Sequence, residues 1–335
     1  MENKLKESRA KVFSDALPVI LFTLLFVAIV LAFRSQLPGF FLPASVYSIL
    51  RKIASISLAA TGLTFVIIIS KCDMSFHLVG CCTGVCFCWL MVYRGIDPVV
   101  AAVMTVAFGG LWGAVTGFLV SRMKFPDVIT SIAVGCIAYG FGYLFSDAAY
   151  IYLHNDAEKA IAYMTVGTVP MPICLMAVIL IICYWVMEKT EFGRMFYAVG
   201  ANPKAAYLSG INVNRITMIA FILSGALVSF TGMFLNAEQG FAAVTTTQSI
   251  LTQCFSAVYI GWAIFKRPCI HGTLFGASLT SVISLGLAQM NYAYYWGNLV
   301  TAIILVVALL ISRMKYRDRS AMVPAPRKKK EVKLP

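Results

Sequence analysis

Charged residues are scarce in this sequence, and acidic residues are scarcer than basic ones. Only 12% of its 335 residues are charged, with 14 Asp and Glu against 27 Lys and Arg, whereas 60% are hydrophobic. Soluble domains carry about 25% charged and about 45–50% apolar residues. The low content of charged residues and the high content of apolar ones exclude a soluble enzyme, a disordered chain and a secreted disulfide scaffold. Since a membrane-spanning helix needs about 20 apolar residues, the apolar content is enough for about ten spans.

Residue patterns typical of enzymes and metal sites are also missing. The sequence holds three His and no G-x-x-x-x-G-K-[ST], H-E-x-x-H or G-x-S-x-G motif. The ten Cys lack a regular spacing, and only His77 lies near the four that crowd one apolar run, which are Cys81, Cys82, Cys86 and Cys88. We interpret these cysteines as helix-packing residues, not as metal ligands. The basic residues form no single solvated face, so no nucleic-acid partner is expected.

Apolar runs predict an all-α polytopic membrane protein with about ten transmembrane helices. The runs lie at about 17–33, 46–69, 78–92, 98–120, 128–147, 170–187, 216–236, 250–265, 272–290 and 295–312. With the N-terminus inside, 22 Lys and Arg fall in inside segments and five fall outside. This bias predicts that both termini are cytoplasmic. The predicted organisation is an N-terminal segment 1–15, one membrane domain 16–312 and a basic tail 313–335.

Glycines recur at four-residue intervals on two predicted helices. Such spacing lets helix backbones approach closely in lipid. It predicts helix-packing positions at Gly109, Gly113, Gly117, Gly272 and Gly276.

The inside connection 188–215 alternates small and polar residues. Asn202-Pro203 is typical of a helix start, with Asn as the N-cap and Pro at the first helical position. The short helix is expected to run through Lys204–Leu208 and to stop at Gly210. A short helix with a small-residue face could dock another protein, and a solvated connection of no particular role is the alternative.

Ionisable groups are almost absent from the predicted spans, which weakens the case for a proton-coupled transporter. Asp73 is the chief exception, and it is expected to cap or shape the turn before the third span, with Ser75 nearby. Neutral polar side chains suit a neutral polyhydroxylated solute better than an ion, and interhelical hydrogen bonding is the alternative for each. The candidates for a translocation path are Asp73, Ser75, Thr61, Asn236, Gln253 and Gln289.

The inside connection 188–215 carries a specific resemblance. Residues 192–214 read F-G-R-M-F-Y-A-V-G-A-N-P-K-A-A-Y-L-S-G-I-N-V-N. They match the pattern G-R-x-x-Y-A-x-G-x-N-x-x-A-A-x-x-S-G-I-x-V. Supporting pieces lie at 59–67, 113–117 and 271–277. Over about 15–312 the chain resembles the permease subunit of bacterial ribose/monosaccharide-type ABC importers, within the branched-chain amino acid permease superfamily.

The resemblance implies a non-enzymatic transport subunit in the bacterial inner membrane that moves a sugar or sugar-like neutral solute. It implies cytoplasmic ABC ATPase subunits that hold ATP and Mg²⁺, an extracytoplasmic sugar-binding protein and a second permease, with no cofactor in this chain. It assigns ATPase coupling to the inside connection 188–215, which is called the coupling segment from here on. The residues that it assigns to this role are Gly193, Arg194, Gly200, Asn202, Ala205, Ala206, Ser209 and Gly210.

Two motifs depart from the family's pattern. Lys71 and His77 stand where glycines are expected around Asp73, and residues 261–268 have lost most of a glycine-rich segment. The departures favour one half of a heterodimeric permease, and a homodimer with a changed substrate is the alternative. An ion-coupled secondary transporter of a small polar solute remains the rival function.

Overall fold

A computed structural model describes residues 19–20, 22–37, 39–154, 165–166, 169–290 and 294–321. The predicted N-terminal segment 1–15 and the last part of the predicted tail, residues 322–335, lie outside the described residues. The helices are α1 (Phe22–Gln36), α2 (Pro43–Ile68), α3 (Phe76–Val92), α4 (Pro98–Ser121), α5 (Asp127–Ser146), α6 (Met171–Lys189), α7 (Glu191–Ala201), α8 (Pro203–Leu208), α9 (Val213–Gln239), α10 (Ile250–Phe265), α11 (Ile270–Gln289) and α12 (Tyr294–Ala321).

Ten of the described helices are apolar, in agreement with the predicted number of spans. Six are long and apolar enough to cross a membrane, namely α2, α4, α5, α6, α9 and α11. The apolar helices α1, α3, α10 and α12 are shorter in their apolar part. The all-α prediction is confirmed, whereas α7 was not anticipated from the sequence, which predicted only the short helix that follows it.

Four short strands join the helices in two antiparallel pairs. Strand β1 (Ile151–Tyr152) pairs with β4 (Phe241–Ala242), with Ile151 opposite Ala242. Strand β2 (Thr165–Val166) pairs with β3 (Val169–Pro170). The β1–β4 pair holds the connection after α5 against the connection after α9, and we call this end of the bundle the distal end.

Helices α2 and α9 form the centre of the bundle. Helix α9 packs along α2, α3 and α4, and α2 also contacts α10 and α11. The largest apolar cluster joins these helices around Leu63, Phe76 and Val228, all at most 1% exposed. By contrast, α4, α5 and α6 leave large apolar side chains uncovered, as at Leu111, Ile129 and Ile181. Apolar faces of this kind are what a lipid environment or a partner subunit covers.

Glycines lie where helix backbones approach one another most closely. A Cβ atom at Gly109 or Gly113 would meet the carbonyl oxygen of Gly225 or Phe221 on α9, and one at Gly117 would lie 3.1 Å from Met218 Cα. On α11, a Cβ at Gly272 would lie 3.1 Å from Gly261 Cα of α10. One at Gly276 would meet the Ala257 carbonyl, also on α10. All five glycines singled out in the sequence therefore lie at helix–helix contacts, where a side chain would push the backbones apart.

Connections that carry basic residues meet at the end opposite the distal end, which we call the basic end. Lys124 Nζ, between α4 and α5, lies 2.5 Å from Asn214 Oδ1 at the start of α9. Arg267, between α10 and α11, pairs with Glu188 at the end of α6 at 3.0 Å. The sequence assigns all of these connections to the inside of the membrane. Their meeting at one end is what the positive-inside pattern predicts.

Candidate functional site

The helix α7 lies against the basic end through one face. Its buried residues are Gly193, Phe196 and Val199, which are spaced three residues apart as one helical face requires. Phe196 packs edge-to-face on Phe65 of α2, with the ring centroids 5.9 Å apart. The exposed side of α7 carries Arg194, whose Nη2 lies 3.3 Å from Glu191 Oε1. Both side chains of this ion pair are exposed to solvent, so the pair contributes little to the stability of the fold.

Two glycines set the distance between the coupling segment and the membrane helices. A Cβ atom at Gly193 would collide with the Met187 carbonyl at the end of α6, and one at Gly200 would collide with the Ile68 carbonyl at the end of α2. The Ser70 hydroxyl also donates to the Gly200 carbonyl oxygen at 3.0 Å. These two glycines therefore allow α7 to pack directly against the ends of α6 and α2.

The helix α8 begins and ends as the Asn-Pro pair and the glycine predict. The Asn202 side-chain oxygen accepts hydrogen bonds from the backbone N–H of Lys204 and Ala205, at 3.0 and 3.1 Å, and Pro203 is the first helical residue. After the helix, Gly210 has a φ of +84°, a left-handed conformation that glycine adopts without strain. A cap at each end stabilises a helix that is too short to persist alone.

The tip of α8 presents apolar side chains outward. Leu208 is 85% exposed and Tyr207 is 71% exposed, whereas Ala206 is buried against the chain. Among the small residues of this helix and its end, Ala205, Ser209 and Gly210 are exposed. Exposed Leu and Tyr beside small residues form a compact apolar knob, which is a shape suited to a groove on another protein.

The predicted coupling residues thus divide into two groups. Gly193, Gly200 and Ala206 pack against the rest of the protein. The other five are exposed to solvent, namely Arg194, Asn202, Ala205, Ser209 and Gly210. Tyr207 and Leu208 were missed as candidates in the sequence. In the sequence, the available signal was a pair of large side chains within a run of small ones. Their outward orientation depends on which face of α8 packs against the rest of the protein.

Asp73 lies buried in the irregular segment between α2 and α3. Its Oδ1 accepts from the Ser75 backbone N–H at 2.8 Å and from the Ser75 hydroxyl at 2.5 Å, and its Oδ2 accepts from the Ser224 hydroxyl on α9 at 2.7 Å. Asp127 accepts from the Cys72 backbone N–H at 2.8 Å. The carboxyl group of Asp73 thus shapes a turn, as one of the sequence interpretations expects.

This pattern accounts for a non-helical segment inside the bundle. Irregular backbone within a membrane protein needs internal partners for its polar groups. Asp127 supplies one partner, and the Ser131 hydroxyl accepts from the Met74 backbone N–H at 3.0 Å. The segment preceding α3 is therefore fixed by side chains of α5 and α9, without the glycines that the family pattern places there.

The other translocation-path candidates are not brought together by the described contacts. The Asn236 amide lies against Gly84 of α3, and Gln253 Nε2 is 3.4 Å from Ser284 Oγ on α11. Thr61 is fully buried in α2, and Gln289 is half-buried at the end of α11. Within the described part of the chain, Thr61 Oγ1, Asn236 Oδ1 and Gln253 Oε1 have no hydrogen-bond partner. Their role in a solute path stays a prediction.

One charged cluster within the helices was not anticipated from the sequence. Arg51 Nε of α2 lies 3.9 Å from Glu238 Oε1 near the distal end of α9. The Arg51 side chain is 16% exposed and that of Glu238 is 30% exposed. An acidic partner on α9 gives Arg51 an electrostatic reason to lie between helices.

Comparisons with known proteins agree with this architecture. The family described as "Branched-chain amino acid transport system / permease component" matches residues 45–309. The chain is 27% identical to the ribose import permease protein RbsC of Haemophilus influenzae, over 82% of this chain and 86% of that one. It is 28% identical to the fructose import permease protein FrcC of Rhizobium meliloti, over 89% of this chain and 85% of that one.

A solved structure shares the fold. PsaBC from Streptococcus pneumoniae, in complex with Fab, aligns with a TM-score of 0.51 at 14% identity and covers 86% of this chain and 99% of the other. Together with the ten apolar helices, these matches identify a multi-pass protein of the cytoplasmic membrane. The chain belongs to the family of branched-chain amino acid transport system permease components, the membrane-spanning subunits of transport systems.

Proposed function

We propose that this chain is the membrane-spanning subunit of an ATP-binding-cassette importer for a sugar or sugar-like neutral solute. ATP and Mg²⁺ bind to separate cytoplasmic ATPase subunits, an extracytoplasmic binding protein delivers the solute, and a second permease copy or a paralogous permease completes the pore. The names of the ribose and fructose permeases among its relatives support this class of solute.

The observation that carries the proposal is the helix α8 at the basic end. Capped at Asn202 and ended at Gly210, it presents Leu208 and Tyr207 to solvent while Gly200 fixes the preceding helix to α2. A rigid knob on a fixed base can receive a displacement from a docked ATPase and pass it to the membrane helices. An ion-coupled transporter has no use for such a knob.

The proposal is tested with variants that alter only the exposed face of α8. Ala205→Trp places a bulky side chain in the docking surface without a contact inside the chain, since Ala205 is exposed. We expect co-purification with the ATPase subunits and uptake of labelled ribose or fructose to fall by about tenfold or more, because a misplaced anchor in an interface costs at least about 1.4 kcal/mol.

The matched control is Ala149→Trp, which alters an exposed alanine in the connection that precedes β1 at the distal end. It is expected to retain ATPase association. Equal ATPase association of both variants and the wild type would contradict the docking role of α8. Uptake by this chain alone, driven by an ion gradient without any ATPase, would overturn the proposal in favour of a secondary transporter.

A further inference from the structure

A polar cluster ties the coupling segment to the connection between α10 and α11. Arg267 Nη2 lies 3.1 Å from Glu188 Oε1 and 3.0 Å from Glu188 Oε2, so it bridges both carboxylate oxygens at the end of α6. The Tyr197 hydroxyl of α7 lies 3.3 Å from Glu188 Oε1 and 3.3 Å from the Pro268 carbonyl oxygen. Arg267 Cζ stands 5.3 Å from the centroid of the Tyr197 ring. We call Glu188, Tyr197 and Arg267 the clamp.

The clamp is partly shielded from water, which strengthens it. The Glu188 side chain is 17% exposed, and that of Arg267 is 50% exposed. Burial, reinforced by the neighbouring Glu188 carboxylate, raises the pKa of Tyr197 well above its usual range. The single hydroxyl proton lies within hydrogen-bond reach of both the Glu188 carboxylate and the Pro268 carbonyl oxygen. A charge-assisted pair with a stacked ring and a shared hydroxyl holds one geometry better than an isolated surface ion pair does.

The clamp lies between the coupling segment and the pair of helices α10 and α11. On one side, α7 leads directly into the knob of α8. On the other side, α10 and α11 pack backbone to backbone at Gly261 and Gly272 and again at Ala257 and Gly276. These two helices therefore form one closely packed hairpin. The clamp connects the end of this hairpin to the coupling segment through side chains.

The clamp involves a stretch of sequence that departs from the family's pattern. Arg267 belongs to the stretch 261–268, which has lost most of the glycines of the pattern that the chain otherwise resembles. A glycine-rich connection bends easily and makes few side-chain contacts. Here the connection carries a guanidinium and a proline carbonyl that both engage the coupling segment.

We propose that Glu188, Tyr197 and Arg267 are positioning residues that transmit displacement of α7 and α8 to the α10–α11 hairpin. The inference rests on the proposed function, because it assigns the clamp a part in ATPase coupling. None of the three side chains needs to touch the solute or ATP. Their contribution is to keep α7 and the hairpin in a fixed relation while the ATPase subunits move.

The test uses the complete importer in nanodiscs: this chain, its ATPase subunits, its permease partner and its binding protein. The measured quantity is the ratio of ATPase activity with the binding protein to basal ATPase activity. We expect Arg267→Ala to keep basal activity within about twofold and to lower the ratio by about three- to tenfold, the range that residues along a coupled network produce. Arg267→Lys keeps the charge and is expected to restore at least about half of the ratio.

Two further variants separate the clamp from general damage. Glu188→Gln combined with Arg267→Ala is expected to lower the ratio no further than Arg267→Ala alone, because both act through one interaction. Tyr197→Phe removes only the hydroxyl and keeps the ring, so it tests the clamp even where Arg267→Ala fails to assemble. Arg122→Ala, which removes an exposed arginine from the same end of the bundle, is the matched control and keeps the wild-type ratio.

An unchanged ratio in Arg267→Ala and Tyr197→Phe would overturn the clamp. A further loss in the combined variant beyond that of Arg267→Ala would overturn it as well. A wild-type complex that binds no ATPase would instead contradict the proposed function, so the two failures are distinguishable.

Discussion

Lys266 ends α10 in a backbone conformation that favours glycine. Its φ is +60°, and it lies within the stretch 261–268 that has lost most of the expected glycines. The backbone is therefore left-handed at this position although a side chain is present. For an L-residue with a Cβ this conformation costs roughly 1–2 kcal/mol. The strain explains why a glycine-rich pattern is favoured at this point of the chain.

Lys266→Gly is therefore expected to stabilise the folded protein. Relief of the left-handed strain, roughly 1–2 kcal/mol, exceeds the additional backbone entropy that glycine loses on folding, roughly 0.5–1 kcal/mol. The net gain is expected to be about 0.5–1 kcal/mol, measured as the shift in denaturant unfolding in mixed micelles. Lys266→Ala removes the amine and keeps the strain, so it serves as the control. A gain of equal size in Lys266→Ala would show that the amine, and not the backbone, is the source.

At the scale of helices, the pair α4 and α9 illustrates how glycine spacing becomes a contact. Gly109 and Gly113 on α4 lie directly against backbone carbonyls of α9, and Gly225 of α9 lies against the Gly109 carbonyl in return. Gly110 lies on the same helix but away from this seam, where the nearest atom to an added Cβ would be Ile222 Cγ2 at 3.8 Å. The seam, and not glycine content as such, decides where a side chain is tolerated.

Gly113→Ala is expected to destabilise the bundle by about 2 kcal/mol or more, because its methyl group would force α4 away from the Phe221 carbonyl. Gly110→Ala adds the same methyl group in ordinary van der Waals contact, so it is expected to leave the stability unchanged or to raise it by up to about 1 kcal/mol, because alanine loses less backbone entropy on folding than glycine does. Unfolding of purified protein in mixed micelles measures both variants. Equal losses in the two would contradict the assignment of the seam.

At the scale of the whole molecule, the two ends of α9 define the orientation in the membrane. The helix has 27 residues and is therefore about 40 Å long, which is enough to cross the hydrocarbon core of a bilayer. The coupling segment precedes it, and β4 follows it and pairs with β1. Tyr207 and Tyr150 are exposed near these opposite ends.

Cysteine labelling tests this orientation. We expect Tyr207→Cys to react with a membrane-impermeant maleimide only after the membrane is permeabilised, because the positive-inside pattern places the coupling segment in the cytoplasm. Tyr150→Cys is expected to react in intact spheroplasts. The unmodified chain, with its ten native cysteines, gives the background. Labelling of both variants from the same side would contradict ten spans, and the reverse pattern would invert the predicted topology.

Periodicity and composition were sufficient for much of this fold. Apolar runs predicted the number of spans because the bilayer requires about 20 apolar residues for each helix, a constraint that acts on sequence directly. The start of α8 was predictable from Asn202 and Pro203, since capping depends on neighbouring residues alone. The helix α7 was missed because its apolar residues lie in a connection between spans, where the sequence does not show that α2 and α6 will cover them.

The sequence by itself determined that the chain is a polytopic helical membrane protein with a capped helix in one connection. These features follow from local chemistry and from the solvent. Only the tertiary structure decided that Gly200 fixes α7 while Leu208 is exposed, and that Arg267 meets Glu188 across 79 positions of the chain. Contacts between distant residues depend on how helices pack, and the spacing of residues along one helix does not encode which neighbour it meets.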